Sequence, residues 1–413
     1  MQTKLLNFMQ EKFIPKVNKI TNNAWIKGIQ QSIISILPFI LVGSLVTLIM
    51  LLNNIKSNLI PDLNDMSTFT FGMLGLFLAF LIPYHILENY KNEKKILAGF
   101  TALALYLMLI KPTFVSNGSY VKFELARFGS GGMFLSIVVG LVVAAVMLLA
   151  AKFSFFSEDT VLPDFIVTWF DSLIPIAVLI FMGWLGLTIK NVDIFKFITW
   201  VFSPLSFVGQ SYLGFVLIVF LYSFFYSFGI STWALSPIVY PVMFSGIAQN
   251  AALVSKGLAP TNMTTYEVFY SAFIAAGGFG FTITLSIMMM LFAKSQQLKT
   301  ISRATFPAVI FNINEPLVFG APIAFNPILM VPMWINGLLV PLIAGAAMKL
   351  SMVPIPAKVF QLWYIPFPIS TYLTTGIKGV ILFILLFVIT WMVYFPFFKT
   401  YDKQLYTQEQ ASK

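Results

Sequence analysis

The residues most suggestive of chemistry lie close together at 312–315, inside an otherwise apolar stretch. Asn312, Asn314 and Glu315 occur within the segment FNINEPLVFG. A carboxylate accepts charge-assisted hydrogen bonds from hydroxyl groups, and an amide both donates and accepts. The group therefore suits a hydroxyl-rich solute such as a sugar, with Glu315 as the principal candidate. In the alternative interpretation, Asn314 or Glu315 caps a helix whose first residue is Pro316.

A second candidate group follows a Phe-Gly pair. Ser231 and Thr232 carry hydroxyls that can bond to sugar oxygens, and the indole of Trp233 can stack on a sugar face. In the alternative interpretation, Trp233 is an aromatic anchor at the membrane surface.

A third candidate group is the glycine-rich segment GGFGFT, which contains Gly278 and Thr282. Small residues at this spacing either line a binding site or allow close packing of membrane helices. A nucleotide-binding loop is excluded because no strand and no phosphate-binding lysine accompany the glycines.

The residues needed for other kinds of site are missing. The chain has no cysteine, which excludes disulfides, thiolate metal sites and thiol nucleophiles. Its one histidine, His85, cannot form a histidine cluster. We therefore expect neither a metal nor a cofactor.

The elements that position these residues are membrane helices. Of the 413 residues, 59% are hydrophobic and only 10% are charged, against roughly 25% charged in an ordinary soluble domain. The mean hydropathy is +0.89. The net charge of +10 does not indicate nucleic-acid binding, because the Lys and Arg residues lie in short connections between apolar runs and form no basic stripe interleaved with aromatic residues.

The apolar runs predict a polytopic all-α protein, since about 20 apolar residues cross the bilayer. The first predicted span, Ile29 to Leu52, is too long for a cleaved signal peptide. Further spans are predicted at about 70–88, 95–112, 132–151, 166–189, 211–229, 265–293, 326–349 and 376–398.

Three stretches fit a simple span less well. Residues 190–208 alternate charged and aromatic residues as an interfacial amphipathic helix does. Residues 231–250 and 301–325 carry Pro, Gly, Asn and Ser inside apolar runs, which predicts two re-entrant hairpins lining a cavity. Ordinary loops outside the membrane are the alternative.

The loop charges predict orientation. Five lysines precede the first span, and lysines also follow the last one, which places both termini in the cytoplasm. Both termini on one side require an even number of crossings, and we expect about ten. The predicted division is a cytoplasmic segment at 1–27, a first transmembrane bundle at 28–189, a second at 190–398 and a cytoplasmic tail at 399–413.

The chain resembles the membrane-embedded IIC component of the bacterial phosphoenolpyruvate-dependent sugar phosphotransferase system, of the lactose/cellobiose (N,N'-diacetylchitobiose) family. The segment FNINEPLVFGAPIAFN at 311–326 is close to that family's signature. Weaker markers occur in the expected order: Leu37-Pro38 with Val42-Gly43-Ser44, Gly277 to Thr282, Lys294 to Lys299, and Pro396-Phe397-Phe398.

The resemblance implies a plasma-membrane homodimer of about ten-helix subunits, whose first bundle dimerises and whose second binds sugar. It also implies a separate or fused IIB protein, served by IIA, that presents a phosphocysteine at the cytoplasmic face. Because this chain has no cysteine, we expect a separate IIB protein and no phosphorylated residue on the IIC chain itself. Glu315 falls on the family's sugar-binding acid and is a candidate base. Asn312 and Asn314 lie beside it.

The sequence departs from the family at the first predicted hairpin. The family usually has Gly-Ile-His-Gly, whereas Ser231 and Thr232 stand here in place of His-Gly. Serine is no general base near neutral pH without a partner base. Three interpretations follow: phosphotransfer with Glu315 as the base, sugar transport without phosphorylation, or a sensor or carrier of an unusual ligand.

Overall fold

The computed structural model describes residues 11, 13–50, 59–115, 118–154, 156, 163–188, 192–321, 323–361 and 363–411. This part of the chain is helical apart from turns and a small antiparallel sheet of β1 (Thr113–Val115) and β2 (Tyr120–Lys122). The predicted all-α class is thereby confirmed. The first ten residues of the predicted N-terminal segment, the boundary at 189–190 and the last two residues of the tail lie outside the described residues.

The helices are α1 (Ile14–Thr21), α2 (Ala24–Met50), α3 (Asn64–Thr68), α4 (Leu74–Asn89), α5 (Lys95–Leu109), α6 (Met133–Ala150), α7 (Asp164–Thr188), α8 (Ile194–Gln210), α9 (Tyr212–Ser227), α10 (Ser236–Ser255), α11 (Ile283–Phe292), α12 (Gln296–Ile310), α13 (Glu315–Gly320), α14 (Pro327–Lys349) and α15 (Ile369–Ala411). Short 3-10 turns lie at Phe71–Met73, Leu125–Arg127, Ser130–Gly132 and Thr232–Leu235, and a π-helix at Val268–Ala272.

Seven helical segments of the described chain are long and apolar enough to cross a membrane, and an eighth is obtained if α8 and α9, which are broken at Ser211, count as one span. This confirms a multi-pass membrane protein. Two predicted spans contain shorter helices. The span at 95–112 holds α5, and the span at 265–293 holds the π-helix and α11.

The chain divides into two compact units. The first unit is Ile20–Ser206, and the second comprises Phe207–Lys413 together with the N-terminal residues up to Lys19. The boundary between the two units falls within α8, and the ring of Phe202 on α8 stacks on Phe134 of α6 at 4.8 Å. The predicted division near residue 190 stays a prediction.

The first unit contains a buried ion pair outside its membrane helices. The Arg127 guanidinium donates two parallel hydrogen bonds to the Asp193 carboxylate, at 3.0 and 2.9 Å. Burial alone raises the pKa of Asp193, but the bonds from Arg127 and from the Lys196 backbone N–H hold it below its ordinary value. The pair therefore ties the connector after β2 to the start of α8.

The second unit is framed by α9 and α14, which lie side by side. The Tyr212 hydroxyl donates to the Leu342 carbonyl at 2.7 Å, and the Trp334 indole donates to the Ser227 hydroxyl at 2.8 Å. Phe13, at the start of the described N-terminal segment, packs on Phe225 of α9. This frame holds the end of α9, from which one candidate segment begins.

Residues 231–250 contain a 3-10 turn and most of a helix. A turn at Gly229 and the 3-10 turn at Thr232–Leu235 are followed by α10. That this segment belongs to a re-entrant hairpin stays a prediction. Pro237 lies in the first turn of α10. Backbone N–H groups in this turn have no partner within the helix, so the lack of an N–H in proline costs no hydrogen bond. The irregular backbone is therefore confined to the residues before Ser236.

Irregular backbone also appears within 265–293. Residues 273–282, which we call the glycine loop, form turns in which Gly277, Gly278 and Gly280 have positive φ angles. Three left-handed glycines in four residues prevent a helix from continuing. The predicted single span is therefore interrupted.

The segment at 301–325 has the expected helix–turn–helix form. We call α12, the turn 311–314 and α13 the hairpin. Asn312 has a φ of 66° and reverses the chain between the two arms. That the hairpin re-enters the bilayer stays a prediction.

The last helix fixes the start of this hairpin. The Asp402 carboxylate accepts hydrogen bonds at 2.9 Å from the backbone N–H groups of Lys294 and Ser295. Glu409 accepts from the N–H groups of Gln296 and Gln297 at 3.0 and 2.9 Å. These N–H groups have no partner within α12, and negative charge is favourable at a helix N-terminus. The predicted tail at 399–413 is thus helical through Ala411, and it anchors the hairpin.

We expect Asp402→Asn to destabilise the purified protein by about 2 kcal/mol, because hydrogen bonds to a charged group are lost. Asp402 is only 2% exposed, and an asparagine NH₂ would face backbone N–H donors. The measurement is the melting temperature in detergent, which should fall.

Lys403→Gln is the control, since Lys403 is the exposed next residue on the same helix. It should leave the melting temperature unchanged. Equal melting temperatures for Asp402→Asn and the wild type would contradict the anchoring role.

Candidate functional site

The hairpin turn is held against two other segments by Asn312. Its Nδ2 donates to the Trp363 carbonyl at 2.7 Å, and its Oδ1 accepts from the Gly277 N–H at 3.1 Å. Both ends of the amide are therefore engaged within the protein. Asn312 connects the turn to the glycine loop and to the segment before α15.

Asn314 anchors the turn a second time. Its side chain is 3% exposed, and its Nδ2 donates to the Phe279 carbonyl at 3.1 Å and to the Thr282 hydroxyl at 3.0 Å. The Thr282 hydroxyl in turn donates to the Gly277 carbonyl. The amide rests on Gly278, where a Cβ atom would overlap it.

These contacts bring four predicted site residues together: Asn312, Asn314, Gly278 and Thr282. Their polar side-chain atoms bond mainly to one another and to backbone groups. The structure therefore places them as the support of the turn. Direct contact between them and a solute stays a prediction.

Glu315 differs from its neighbours because its side chain is exposed. It is the first residue of α13, where a negative charge interacts favourably with the helix dipole. The ion pairs found among the described residues do not involve Glu315. The Asn314 side chain makes no capping bond to α13, so the capping alternative is not realised for that residue.

A residue that the sequence analysis missed, Tyr226, lies beside this carboxylate. Its hydroxyl interacts with the charge of Glu315. The hydroxyl is buried and makes no hydrogen bond of standard geometry within the described chain. Tyr226 lies two residues before Phe228-Gly229, but α9 carries other hydroxyl residues such as Tyr222 and Ser223, so the sequence does not single it out.

The segment after Tyr226 runs beside the second arm of the hairpin. The Phe325 N–H donates to the Ser227 carbonyl at 3.0 Å. Gly229 has a φ of 74° and faces the ring of Phe325, with Phe319 nearby. The predicted group that begins at Ser231 therefore starts close to the arm that carries Glu315.

Within that group, the side chains differ in accessibility. Ser231 is exposed, and its hydroxyl accepts from the Trp233 N–H at 3.3 Å, which caps the 3-10 turn. Thr232 and Trp233 are half-buried, and the Trp233 indole lies 5.8 Å from the Tyr240 ring. The Ser231 hydroxyl is thus exposed, and its hydrogen bond within the described chain is to a backbone N–H, which cannot act as a base.

Exposed aromatic residues lie within ten residues of Glu315 in the sequence. Phe319 is 53% exposed, and Phe311 and Phe325 are also accessible. An exposed carboxylate beside a tyrosine hydroxyl, on a segment with exposed aromatic rings, has the groups needed to bind a sugar, whose rings have both polar edges and apolar faces.

The chain matches the family "Phosphotransferase system, EIIC" over residues 30–337. It is 28% identical to the cellobiose-specific EIIC component of Geobacillus stearothermophilus, over 99% of this chain and 96% of that protein. It is 26% identical to the lactose-specific EIICB component of Lacticaseibacillus casei, over 99% of this chain and 73% of that protein.

A solved structure has the same fold. The crystal structure of the transporter ChbC, the IIC component from the N,N'-diacetylchitobiose-specific phosphotransferase system, superposes with a TM-score of 0.86 at 26% identity, covering 98% of this chain and 99% of that one. The family match covers most of the chain, and the fold and the relatives agree with it. The chain therefore belongs to the EIIC family, the sugar-specific membrane permeases of the phosphotransferase system.

Proposed function

We propose that this permease carries an oligosaccharide such as cellobiose, lactose or diacetylchitobiose across the plasma membrane, and that Glu315 binds it. The observation that carries the proposal is the exposed Glu315 carboxylate on a turn whose neighbouring amides are engaged. Relatives named for cellobiose, lactose and diacetylchitobiose support this class of sugar.

Binding follows from the chemistry of the two partners. Sugar hydroxyls donate to the carboxylate, and such charge-assisted bonds are about twice as strong as neutral ones. The ring of Phe319 offers an apolar face beside it, and the Tyr226 hydroxyl is available to accept or donate. Asn312 and Asn314 serve mainly to hold the carboxylate in position.

We also propose that the bound sugar is phosphorylated by a separate IIB protein, itself served by IIA. The phosphoryl group cannot reside on a cysteine of this chain, which has none. As the sugar oxygen attacks phosphorus, the S–P bond of the phosphocysteine breaks, an O–P bond forms and the thiolate leaves. Glu315 accepts the hydroxyl proton, because Ser231 stands in place of the family's histidine.

The proposed assembly is a homodimer with both termini in the cytoplasm. Lysines before the first span and after the last one support this orientation. The cytoplasmic placement puts the anchor formed by Asp402 and Glu409 on the side where the phosphoryl donor works. The first bundle is the proposed dimerisation part.

The function is tested in vesicles that contain the purified permease and radiolabelled cellobiose, with and without the IIA and IIB proteins and phosphoenolpyruvate. We expect cellobiose phosphate to appear only when the complete donor chain is present. The measurement is chromatography of the labelled products.

Vesicles without the permease, but with all donor proteins, control for leakage and for direct phosphorylation of free sugar. Accumulation of unmodified cellobiose under both conditions would show transport without phosphorylation and overturn the proposed coupling.

We expect Glu315→Gln to weaken cellobiose binding about 10-fold to 100-fold, because a hydrogen bond to a charged group contributes about 1.5–3 kcal/mol. Titration calorimetry on the purified variant measures the affinity. The melting temperature should be unchanged, since Glu315 is exposed.

Glu93→Gln makes the same chemical change at another exposed carboxylate, in the first unit. It should bind cellobiose as the wild type does. Equal affinities for Glu315→Gln and Glu93→Gln would remove Glu315 from the binding site.

A further inference from the structure

A second acidic residue, Glu267, is completely buried next to the glycine loop. It is 0% exposed and directly precedes the π-helix Val268–Ala272. Its Oε1 accepts from the Phe360 N–H at 3.1 Å and from the Gln361 side chain at 3.4 Å. Its Oε2 is buried and has no hydrogen-bond partner within the described chain. The carboxyl group therefore has one oxygen left unsatisfied.

Among the described residues, no ion pair links Glu267 to a cation. The titratable side chains packed about this segment are tyrosines: Tyr222 of α9, Tyr240 of α10, and Tyr266 and Tyr270 of the segment itself. The segment of Phe360 and Gln361 contributes the cation Lys358, which is exposed and forms no ion pair found in the described chain.

An unpaired carboxylate in this environment is unfavourable. Removing a charge from water costs several kcal/mol, and a buried acid without a countercharge takes up a proton instead. In the protonated form the group bears no charge, which lowers the cost of burying it, and Oε1, which accepts from Phe360 and Gln361, serves as its carbonyl oxygen.

We propose that Glu267 is a proton-binding site, protonated in the fold described here, whose ionisation loosens the glycine loop and weakens sugar binding. The ligand is the proton itself. The effect on sugar binding goes beyond the proposed function but rests on it. The protonation of Glu267 is independent of the proposed function.

The contacts around Glu267 connect it to the turn of the hairpin. The backbone carbonyl of Phe360 accepts a hydrogen bond from the Ser271 hydroxyl at 3.0 Å, and its backbone N–H donates to the Glu267 carboxyl group. Three residues further along, Trp363 accepts from Asn312. On the other side, Tyr270 packs edge-on against Phe279, whose carbonyl accepts from Asn314.

An ionised Glu267 would need new hydrogen-bond donors or water, and this packing offers neither to Oε2. The segments that hold Asn312 and Asn314 must then move apart to admit them. The neutral form therefore favours the binding arrangement. Affinity is highest at acidic pH and falls as rising pH removes the proton.

The test uses the full-length purified protein and Glu267→Gln, whose amide keeps the shape of the protonated acid without its titration. Infrared spectra of the wild type at neutral pH should show a protonated carboxyl band that resists exchange in D₂O and is absent from the variant. The affinity of the wild type for cellobiose should fall roughly tenfold between about pH 6 and about pH 9, while that of Glu267→Gln stays level.

Glu93→Gln is the matched control and should keep both the protonated carboxyl band and the pH dependence of the wild type. The absence of the band from wild-type spectra overturns the proton site, and this result does not require a folded variant. A band lost in Glu267→Gln, together with the wild-type pH dependence of affinity, overturns the link to sugar binding.

If cellobiose binds to neither the wild type nor Glu267→Gln, the proposed sugar is wrong, and this result leaves the proton site at Glu267 to be judged by the infrared band. The melting temperatures then decide the link between Glu267 and the fold. That of the wild type should fall further with rising pH than that of Glu267→Gln, and equal slopes would contradict the proposed loosening.

Discussion

The docking of the hairpin turn on the glycine loop is the constraint on which the site depends. Asn312 and Asn314 flank one residue of the turn, and each places its amide on the glycine loop. Gly278 has no Cβ, and this allows the Asn314 side chain to approach the backbone closely. Both amides are engaged, whereas the next residue, Glu315, is exposed. Of the three polar residues in this motif, Glu315 is therefore the proposed sugar ligand, and Asn312 and Asn314 support the turn.

The start of the hairpin and its turn are both held by hydrogen bonds between side chains and backbone groups. At the start of α12, the carboxylates of Asp402 and Glu409 accept from N–H groups that have no helical partner. At the turn, the two amides bond to carbonyls and N–H groups of loops. Irregular backbone inside a membrane protein must be satisfied in this way, since lipid offers no hydrogen bonds. The same requirement makes the unsatisfied Oε2 of Glu267 unusual.

The sequence predicted the features that depend on local pattern. Long apolar runs predicted the membrane helices, and an acidic residue within an apolar segment predicted Glu315 as the candidate. Long-range contacts were not predictable. The sequence does not show that the Asn312 amide reaches Trp363, or that Asp402 reaches Lys294, because nothing in their local pattern specifies the partner. The prolines of 231–250 suggested a break, but one of them lies in the first turn of α10, where a helix tolerates it.

The account's central claim is that the carboxylate binds the sugar while the two amides hold the turn. An experimental structure of the protein with bound cellobiose tests it most directly. A sugar hydroxyl should lie within hydrogen-bond distance of Glu315, with the bonds from Asn312 to Trp363 and from Asn314 to Phe279 still in place. A sugar bound away from Glu315, or one that takes over both amides, would contradict the claim.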